Sequence, residues 1–100
     1  MFFIGVALSH LEGIWEYEGS YYSFDKTGRY TYYKYINSCY DLRSFNQFIY
    51  SNGYYHLSTF SDNISMSIKN NIWTATNETN GKSITMLRKN FNIDFNNICQ

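Results

Sequence analysis

Large apolar and polar side chains alternate in short runs along the chain, and Gly, Asn and Asp separate the runs. A period of two is typical of strands that bury one face and expose the other. The predicted strands span residues 14–18, 21–24, 29–36, 45–50, 54–60, 64–68, 72–76 and 83–89. Links such as Ser51-Asn52-Gly53 favour tight hairpins. Runs spaced about ten residues apart predict an all-β fold, either a sandwich or a barrel. The short links favour a small antiparallel up-and-down β-barrel of about eight strands.

Two segments fall outside these strands. The apolar residues of segment 2–11 lie on one face of a helix, which predicts a short N-terminal helical cap over one end of the barrel. In the tail, residues 91–100, the side chains of Phe91, Ile93 and Phe95 alternate with polar ones. We expect this tail either to add a ninth strand or to drape across the barrel.

The alternation also assigns faces in the first and last strands. Glu16 and Glu18 share one side of the first strand, which identifies the outer face, so Trp15 points inward. In the last strand Met86 and Arg88 share an inward face. A buried guanidinium needs a carboxylate, carbonyl oxygens or an indole face as its partner. Trp15 can supply the last of these through a cation-π contact worth roughly 0.5 to 2 kcal/mol.

Composition adds an expectation about the barrel interior. The 100 residues are predicted to form one domain, residues 1–100, large enough for a single core. Aromatic residues make up 21% of the chain, and each ring can bury roughly 150 to 250 Å². Because side chains can fill an eight-stranded barrel, we expect a packed interior with little room for a fatty acid. A small pocket lined by tyrosine hydroxyls is left open as an alternative.

Charge and cysteine content bear on partners and location. Eight Lys and Arg balance eight Asp and Glu, so no strong positive field is available to bind phosphates, and we expect no nucleic-acid partner. No segment has the roughly 20 apolar residues of a membrane span, and we expect no membrane partner. Cys39 and Cys99 lack the spacing of a metal knuckle, and we expect free thiols. Together these features predict a soluble, cytoplasmic protein.

Residues suited to catalysis are few. His10 and His56 are the two histidines, and lone histidines are usually structural or solvent-exposed. No serine-hydrolase, zinc-protease or nucleotide-binding motif is present in the sequence. Glu16 and Glu18 place two carboxylates on one strand face, but a solvated outer face explains them better than a glycosidase site. We therefore predict that the protein is not an enzyme and uses neither a cofactor nor a metal ion.

Three residues carry a family resemblance. Gly13-Ile14-Trp15 stands at the start of the first strand, after the cap segment, and Arg88 lies in the last strand. This arrangement resembles the signature of the calycin superfamily, which includes lipocalins, fatty-acid-binding proteins and their short bacterial relatives. The resemblance implies that Trp15 and Arg88 pack together and close one barrel end. It also implies a carrier of a small apolar or aromatic ligand, which we keep as the alternative function.

A packed interior favours a function on the outer surface. Exposed tyrosines suit protein interfaces because each offers a large rigid area with a hydrogen-bonding tip, and acidic residues can steer a basic partner. The predicted partner-binding residues are Glu16, Glu18, Asp25, Tyr21, Tyr33 and Tyr35. In its size, neutral charge and lack of catalytic motifs, and not in particular residues, the chain resembles the immunity proteins of bacterial contact-dependent growth inhibition. We therefore expect a non-enzymatic inhibitor that occludes the active site of a cognate toxin, such as a basic nuclease domain.

Overall fold

The strands close into one antiparallel ring. The computed structural model describes residues 7–57, 62–90 and 95–99, apart from the side chain of Phe95. Each strand pairs with the next one along the chain, and the last pairs with the first. The predicted all-β, up-and-down barrel of eight strands is confirmed. The strands are β1 (Gly13–Tyr17), β2 (Ser20–Phe24), β3 (Arg29–Ile36), β4 (Cys39–Ser51), β5 (Tyr54–Leu57), β6 (Ile64–Lys69), β7 (Ile72–Asn77) and β8 (Ser83–Lys89).

Two of the hairpin turns show why the sequence specifies this order. Asn52 and Gly53, between β4 and β5, have φ angles of 55° and 83°. Asn70 and Asn71, between β6 and β7, have φ angles of 54° and 63°. Two successive positive φ angles define the type I′ turn, whose twist matches that of the flanking strands. Because Asn and Gly enter this region at low cost, these positions were recognisable as turns from the sequence.

Strands β4 and β5 have bounds that differ from the predicted ones. Strand β4 begins at Cys39 rather than at residue 45, because it continues outward as one long hairpin with β3. Charged residues such as Asp41 interrupt the apolar alternation there, so a pattern based on burial did not reveal this half of the strand. Strand β5 is described as far as Leu57, and the remainder of its predicted length, residues 58–60, lies outside the described residues.

A short 3-10 turn covers the end of the barrel where the chain enters. It spans Leu8–Leu11, whereas the sequence predicts a helix over residues 2–11, of which 2–6 lie outside the described residues. Leu11 is fully buried, and its carbonyl oxygen accepts a 2.8 Å hydrogen bond from Trp15 Nε1. In the described part of the chain the cap is therefore this tight turn. No helix in that part is long and apolar enough to cross a membrane.

A disulfide ties the C-terminal tail to the long β3–β4 hairpin. Cys39 and Cys99 are bonded, with Cα atoms 5.2 Å apart, so the expectation of free thiols is wrong. The two cysteines are 60 positions apart in the sequence. They meet because Cys39 lies at the start of β4, beside the tail, and their spacing alone does not predict this. A second 3-10 turn, Phe95–Asn97, precedes the bonded cysteine.

The tail covers part of the outer surface of the barrel. Ile98 forms a single parallel bridge to Tyr40. Both side chains pack against Ile14 and Tyr33, each of which is only 5% exposed. Within residues 95–99 the tail therefore drapes over the barrel and does not add a ninth strand, which selects between the two expectations for this segment.

Candidate functional site

One end of the barrel is closed by the residues that the alternation singled out. Trp15 and Arg88 are opposite each other in the β1–β8 ladder, and the Arg88 guanidinium carbon lies 4.2 Å from the centroid of the Trp15 ring. Arg88 also donates hydrogen bonds to the carbonyl oxygens of His10, at 2.8 Å, and Glu12. Carbonyl oxygens and an indole face therefore both serve as partners, and together they join β8 to the N-terminal turn.

Gly13 makes the close approach of Arg88 possible. A Cβ atom added at Gly13 would lie 2.8 Å from Arg88 Nη1, and the backbone there has a φ of +124°. Residues that carry a Cβ atom rarely adopt such a positive φ angle. The glycine of the Gly13-Ile14-Trp15 motif is thus explained by the space that the guanidinium occupies.

A layer of aromatic rings follows inside this closed end. Trp15 and Trp73 meet edge to face with centroids 5.7 Å apart. Phe24 and Phe48 each pack edge to face on Trp73, at 5.4 and 5.8 Å. Such edge-to-face pairs stabilise more than their buried area alone. This half of the barrel is filled with side chains, as the aromatic content led us to expect.

The other half of the interior is open. A cavity of about 270 Å³ extends from the aromatic layer towards the β7–β8 turn, so the interior is packed less completely than expected. The small pocket left open as an alternative is present, with Tyr22 and Tyr30 in its lining. Its lining residues come from seven strands and that turn, and they are Tyr22, Phe24, Tyr30, Phe48, Leu57, Ile64, Trp73, Ala75, Asn77, Asn80, Lys82, Ile84 and Met86.

Ring stacking along the wall accounts for the open space. Tyr22 stacks flat on Tyr32 with centroids 4.8 Å apart and an angle of 6° between the planes. Rings that pack on their neighbours along the wall do not reach across the barrel. Ala75, which is buried on the opposite wall, is too small to fill what remains.

The mouth of the cavity is polar and lies opposite the closed end. Asn80 and Lys82, in and after the β7–β8 turn, line the cavity and are exposed. Asn80 Oδ1 accepts a hydrogen bond from the Lys82 amide at 2.9 Å. Asn77, just inside, donates a 3.0 Å hydrogen bond to Asp62 Oδ2. Among the described lining residues Lys82 is the one charged side chain.

The tyrosines in the cavity wall are neutral at physiological pH. Burial raises the pKa of Tyr22 to about 12, and burial also raises the pKa of Tyr30 above its ordinary value. Loss of hydration disfavours the charged phenolate. These hydroxyl groups therefore act as uncharged hydrogen-bonding groups in an otherwise apolar wall.

The predicted partner-binding residues do not form one exposed patch. Glu16 accepts a 2.7 Å hydrogen bond from the Tyr21 hydroxyl and pairs with Lys89 Nζ at 3.1 Å. The hydrogen bond from Tyr21, followed by Lys89, lowers the pKa of Glu16, and the same bond raises the pKa of Tyr21 to about 12. The charge of Glu16 is thus paired with Lys89 within the barrel wall, and its role in binding a partner stays a prediction.

Tyr33 lies opposite Tyr21 in the β2–β3 ladder, so Glu16, Tyr21 and Tyr33 lie side by side on the outer face. The remaining three residues lie elsewhere. Glu18 is exposed in the β1–β2 turn, next to the open end. Asp25 lies at the opposite end, where its Oδ1 accepts hydrogen bonds from the Thr27 amide, at 2.8 Å, and hydroxyl. Tyr35 is 47% exposed, but Tyr33 is buried beneath the tail, so Tyr33 is not available as an exposed anchor.

An exposed apolar row on β4 was missed by the sequence analysis. Leu42, Phe45 and Ile49, which we call the β4 row, are 45%, 69% and 47% exposed. Phe45 pairs with Thr31 and Leu42 with Tyr33, and these β3 residues alternate, so the row shares the outer face. Phe45 and Phe48 occur in one apolar run, and the pattern alone does not say which of them is outside.

The described residues contain no cluster suited to holding a metal ion. No group of three or more His, Cys, Asp or Glu side chains converges in the ranges that the structure describes. His10 lies exposed in the N-terminal turn, far along the chain from His56, whose Nε2 lies 3.2 Å from the Ser51 carbonyl oxygen.

Comparison with known proteins finds no match to a family model, to a curated protein or to a solved structure. The resemblance to calycins thus stays a prediction that rests on Gly13, Trp15 and Arg88, and function has to be argued from the cavity itself.

Proposed function

We propose that the protein binds a small, largely apolar ligand inside the barrel. The observation that carries this proposal is the cavity of about 270 Å³ between the aromatic layer and the polar mouth. An apolar cavity of about 150 Å³ holds one benzene ring, and pockets for drug-sized ligands begin near 300 Å³. A ligand with two fused rings fits between these limits.

The chemistry of the wall supports this ligand class. Phe24, Phe48 and Met86 supply apolar and aromatic surface, and the phenol groups of Tyr22 and Tyr30 stay neutral. Binding sites for small molecules combine such surfaces with a few polar groups that fix orientation. A carrier or sensor of the kind implied by the calycin resemblance is the function that this arrangement favours.

Filling the cavity tests the proposal. Ala75 is buried on the inward face of β7, so Ala75→Leu places a larger side chain in the ligand's space. We expect the affinity for indane, measured by titration calorimetry, to fall at least about fivefold, because overpacking costs roughly 1 to 3 kcal/mol.

A neighbouring position on the same strand provides the control. Thr74 is adjacent to Ala75 and faces outward, so Thr74→Val should bind indane as the unmodified protein does. Equal affinity in all three proteins, or no binding of indane to the unmodified protein, would refute an interior site.

A protein-binding inhibitor is the second candidate, and the β4 row is the observation that favours it. Exposed apolar side chains that are contiguous on a surface mark interaction sites. For a toxin inhibitor, Phe45→Ser should weaken the complex with the toxin while leaving indane affinity unchanged. Native mass spectrometry separates the candidates, since a co-purifying small molecule supports a carrier and a stoichiometric basic polypeptide supports an inhibitor.

The disulfide supports a proposal about location. Disulfides persist in oxidising compartments and are rare in the reducing cytoplasm. The expected cytoplasmic location rested in part on free thiols, and the bond between Cys39 and Cys99 removes that premise. We therefore propose that the protein works in an oxidising compartment.

A further inference from the structure

Lys82 lies where the wall of the cavity meets its mouth. It comes directly before β8 and alternates with Ile84 and Met86, so its side chain starts on the inward face. Two hydrogen bonds hold its backbone. The Lys82 amide donates to Asn80 Oδ1 at 2.9 Å, and the Lys82 carbonyl oxygen accepts from the Asn77 amide at 2.8 Å. The backbone is therefore fixed at the rim, while the exposed side chain is able to turn towards a ligand.

The side chains at the mouth offer hydrogen-bond donors to a ligand. Asn77 is committed within the protein, since its Nδ2 donates to Asp62 at 3.0 Å and its Oδ1 accepts from the Thr79 amide at 2.9 Å. Asn80 uses its side-chain oxygen on the Lys82 amide and keeps its nitrogen as a donor. An ammonium group has three donors and no acceptor. A ligand group that meets this rim therefore has to supply acceptors.

The charge of Lys82 is not paired with a carboxylate in the part of the chain that the structure describes. The ion pairs found there lie on β4 and between β1 and β8, and neither includes Lys82. Asp62 is hydrogen-bonded to Asn77, Glu78 is exposed, and neither of them lines the cavity. An unpaired cation beside a wall of low dielectric attracts an anion more strongly than it does in bulk water.

The interior of the cavity does not suit a charged group. Tyr22 and Tyr30 are neutral there, because burial raises the pKa of both. A carboxylate between Phe24, Phe48 and Met86 would lose its hydration without gaining an opposite charge. The apolar part of a ligand is therefore expected inside the barrel, and an anionic group is expected at the mouth.

We propose that Lys82 binds the carboxylate of a ligand whose apolar, bicyclic part fills the cavity. This inference rests on the proposed function and narrows its ligand class to amphipathic monocarboxylates, since Lys82 is the one cationic side chain in the described lining. Asn80 supplies the second donor at the mouth. A neutral amide of the same shape turns N–H groups of its own towards these donors, which costs affinity.

Two ligands of one skeleton test the contact: indane-2-acetate and its neutral amide, indane-2-acetamide. The quantity measured, by titration calorimetry at neutral pH, is the ratio of the dissociation constant of the amide to that of the carboxylate. Lys82→Met keeps an unbranched side chain and removes the charge, and its altered packing affects both ligands alike. We expect the ratio to exceed one in the unmodified protein and to fall about 2- to 5-fold in the variant, the range for an exposed ion pair.

Lys69→Met is the matched control. Lys69 is the last residue of β6, and the β6–β7 turn that follows lies at the closed end, where the Asn71 carbonyl oxygen accepts a 3.0 Å hydrogen bond from the Arg88 amide. The variant removes the same charge from the far end of the barrel, so its ratio should equal that of the unmodified protein. Equal falls in the two variants would show that net charge alone attracts the ligand, and would overturn a contact with Lys82.

The remaining outcomes separate this inference from the proposed function. Raising the salt concentration should lower the ratio in the unmodified protein and not in Lys82→Met, because salt screens exposed charges. A ratio of one in the unmodified protein, with both ligands bound, overturns the role of Lys82 and leaves binding inside the barrel intact. Binding of neither ligand, and no binding of indane, overturns the proposed function as well.

Discussion

At the residue scale, Gly13, Trp15 and Arg88 act as one unit. The absence of a side chain at Gly13 leaves room for the Arg88 guanidinium, which stacks on the Trp15 indole. The carbonyl oxygens of the N-terminal turn accept its hydrogen bonds. A planar guanidinium can stack on a ring and donate from its edge at the same time, which an ammonium group cannot reproduce.

Replacing this arginine tests the unit. Arg88→Lys should lower the free energy of unfolding by roughly 1 to 3 kcal/mol, because carbonyl oxygens lose charged donors and the stacking is lost. Urea denaturation measures the change. Arg43, whose Nε lies 2.9 Å from Asp41 Oδ2 with its side chain 45% exposed, provides the control. Arg43→Lys should stay within about 0.5 kcal/mol of the unmodified protein, and an equal effect at both sites would contradict a special role for Arg88.

Alternation placed Trp15 and Arg88 on inward faces, because a period of two assigns each side chain to a face, and the resemblance to calycins implied that the two pack together. The same reasoning did not predict the burial of Tyr33. That side chain does face outward, but the tail with Ile98 covers it. A strand pattern reports the face of a side chain and carries no information on what packs over that face.

At the scale of elements, the β3–β4 hairpin and the C-terminal tail form a second, outer structure. The Cys39–Cys99 bond holds the tail where Ile98 packs on Ile14 and Tyr33. This small cluster is separate from the core inside the barrel. Neither cysteine lies near the other in sequence, so the pairing depends on a hairpin extension that charged residues concealed.

Removing the disulfide tests this role. The loop that it closes spans 60 positions, and chain-entropy estimates for such a loop give a stabilisation of roughly 4 kcal/mol. Cys99→Ser should therefore lower the urea midpoint clearly and increase hydrogen exchange at Ile14 and Tyr33. A reducing agent should lower the midpoint of the unmodified protein in the same way and leave that of Cys99→Ser unchanged. Identical midpoints for the two oxidised proteins would show that the tail does not depend on the bond.

At the scale of the whole molecule, the barrel has a filled half and an open half. The strand number and the pairing of consecutive strands follow from turn residues and alternation. The cavity does not, because it depends on how rings are oriented. Tyr22 and Tyr32 stack along the wall and leave space beyond them, whereas composition counts both rings as filling the interior.

The location of the bound ligand tests the account most directly, and methyl chemical shifts report it. Met86 and Ala75 line the cavity, while Leu42 and Ile49 lie on the outer face. When indane is titrated into protein with labelled methyl groups, the signals of Met86 and Ala75 should shift in a saturable way and those of Leu42 and Ile49 should not. Shifts confined to the outer methyl groups, or none at all, would contradict a function inside the barrel.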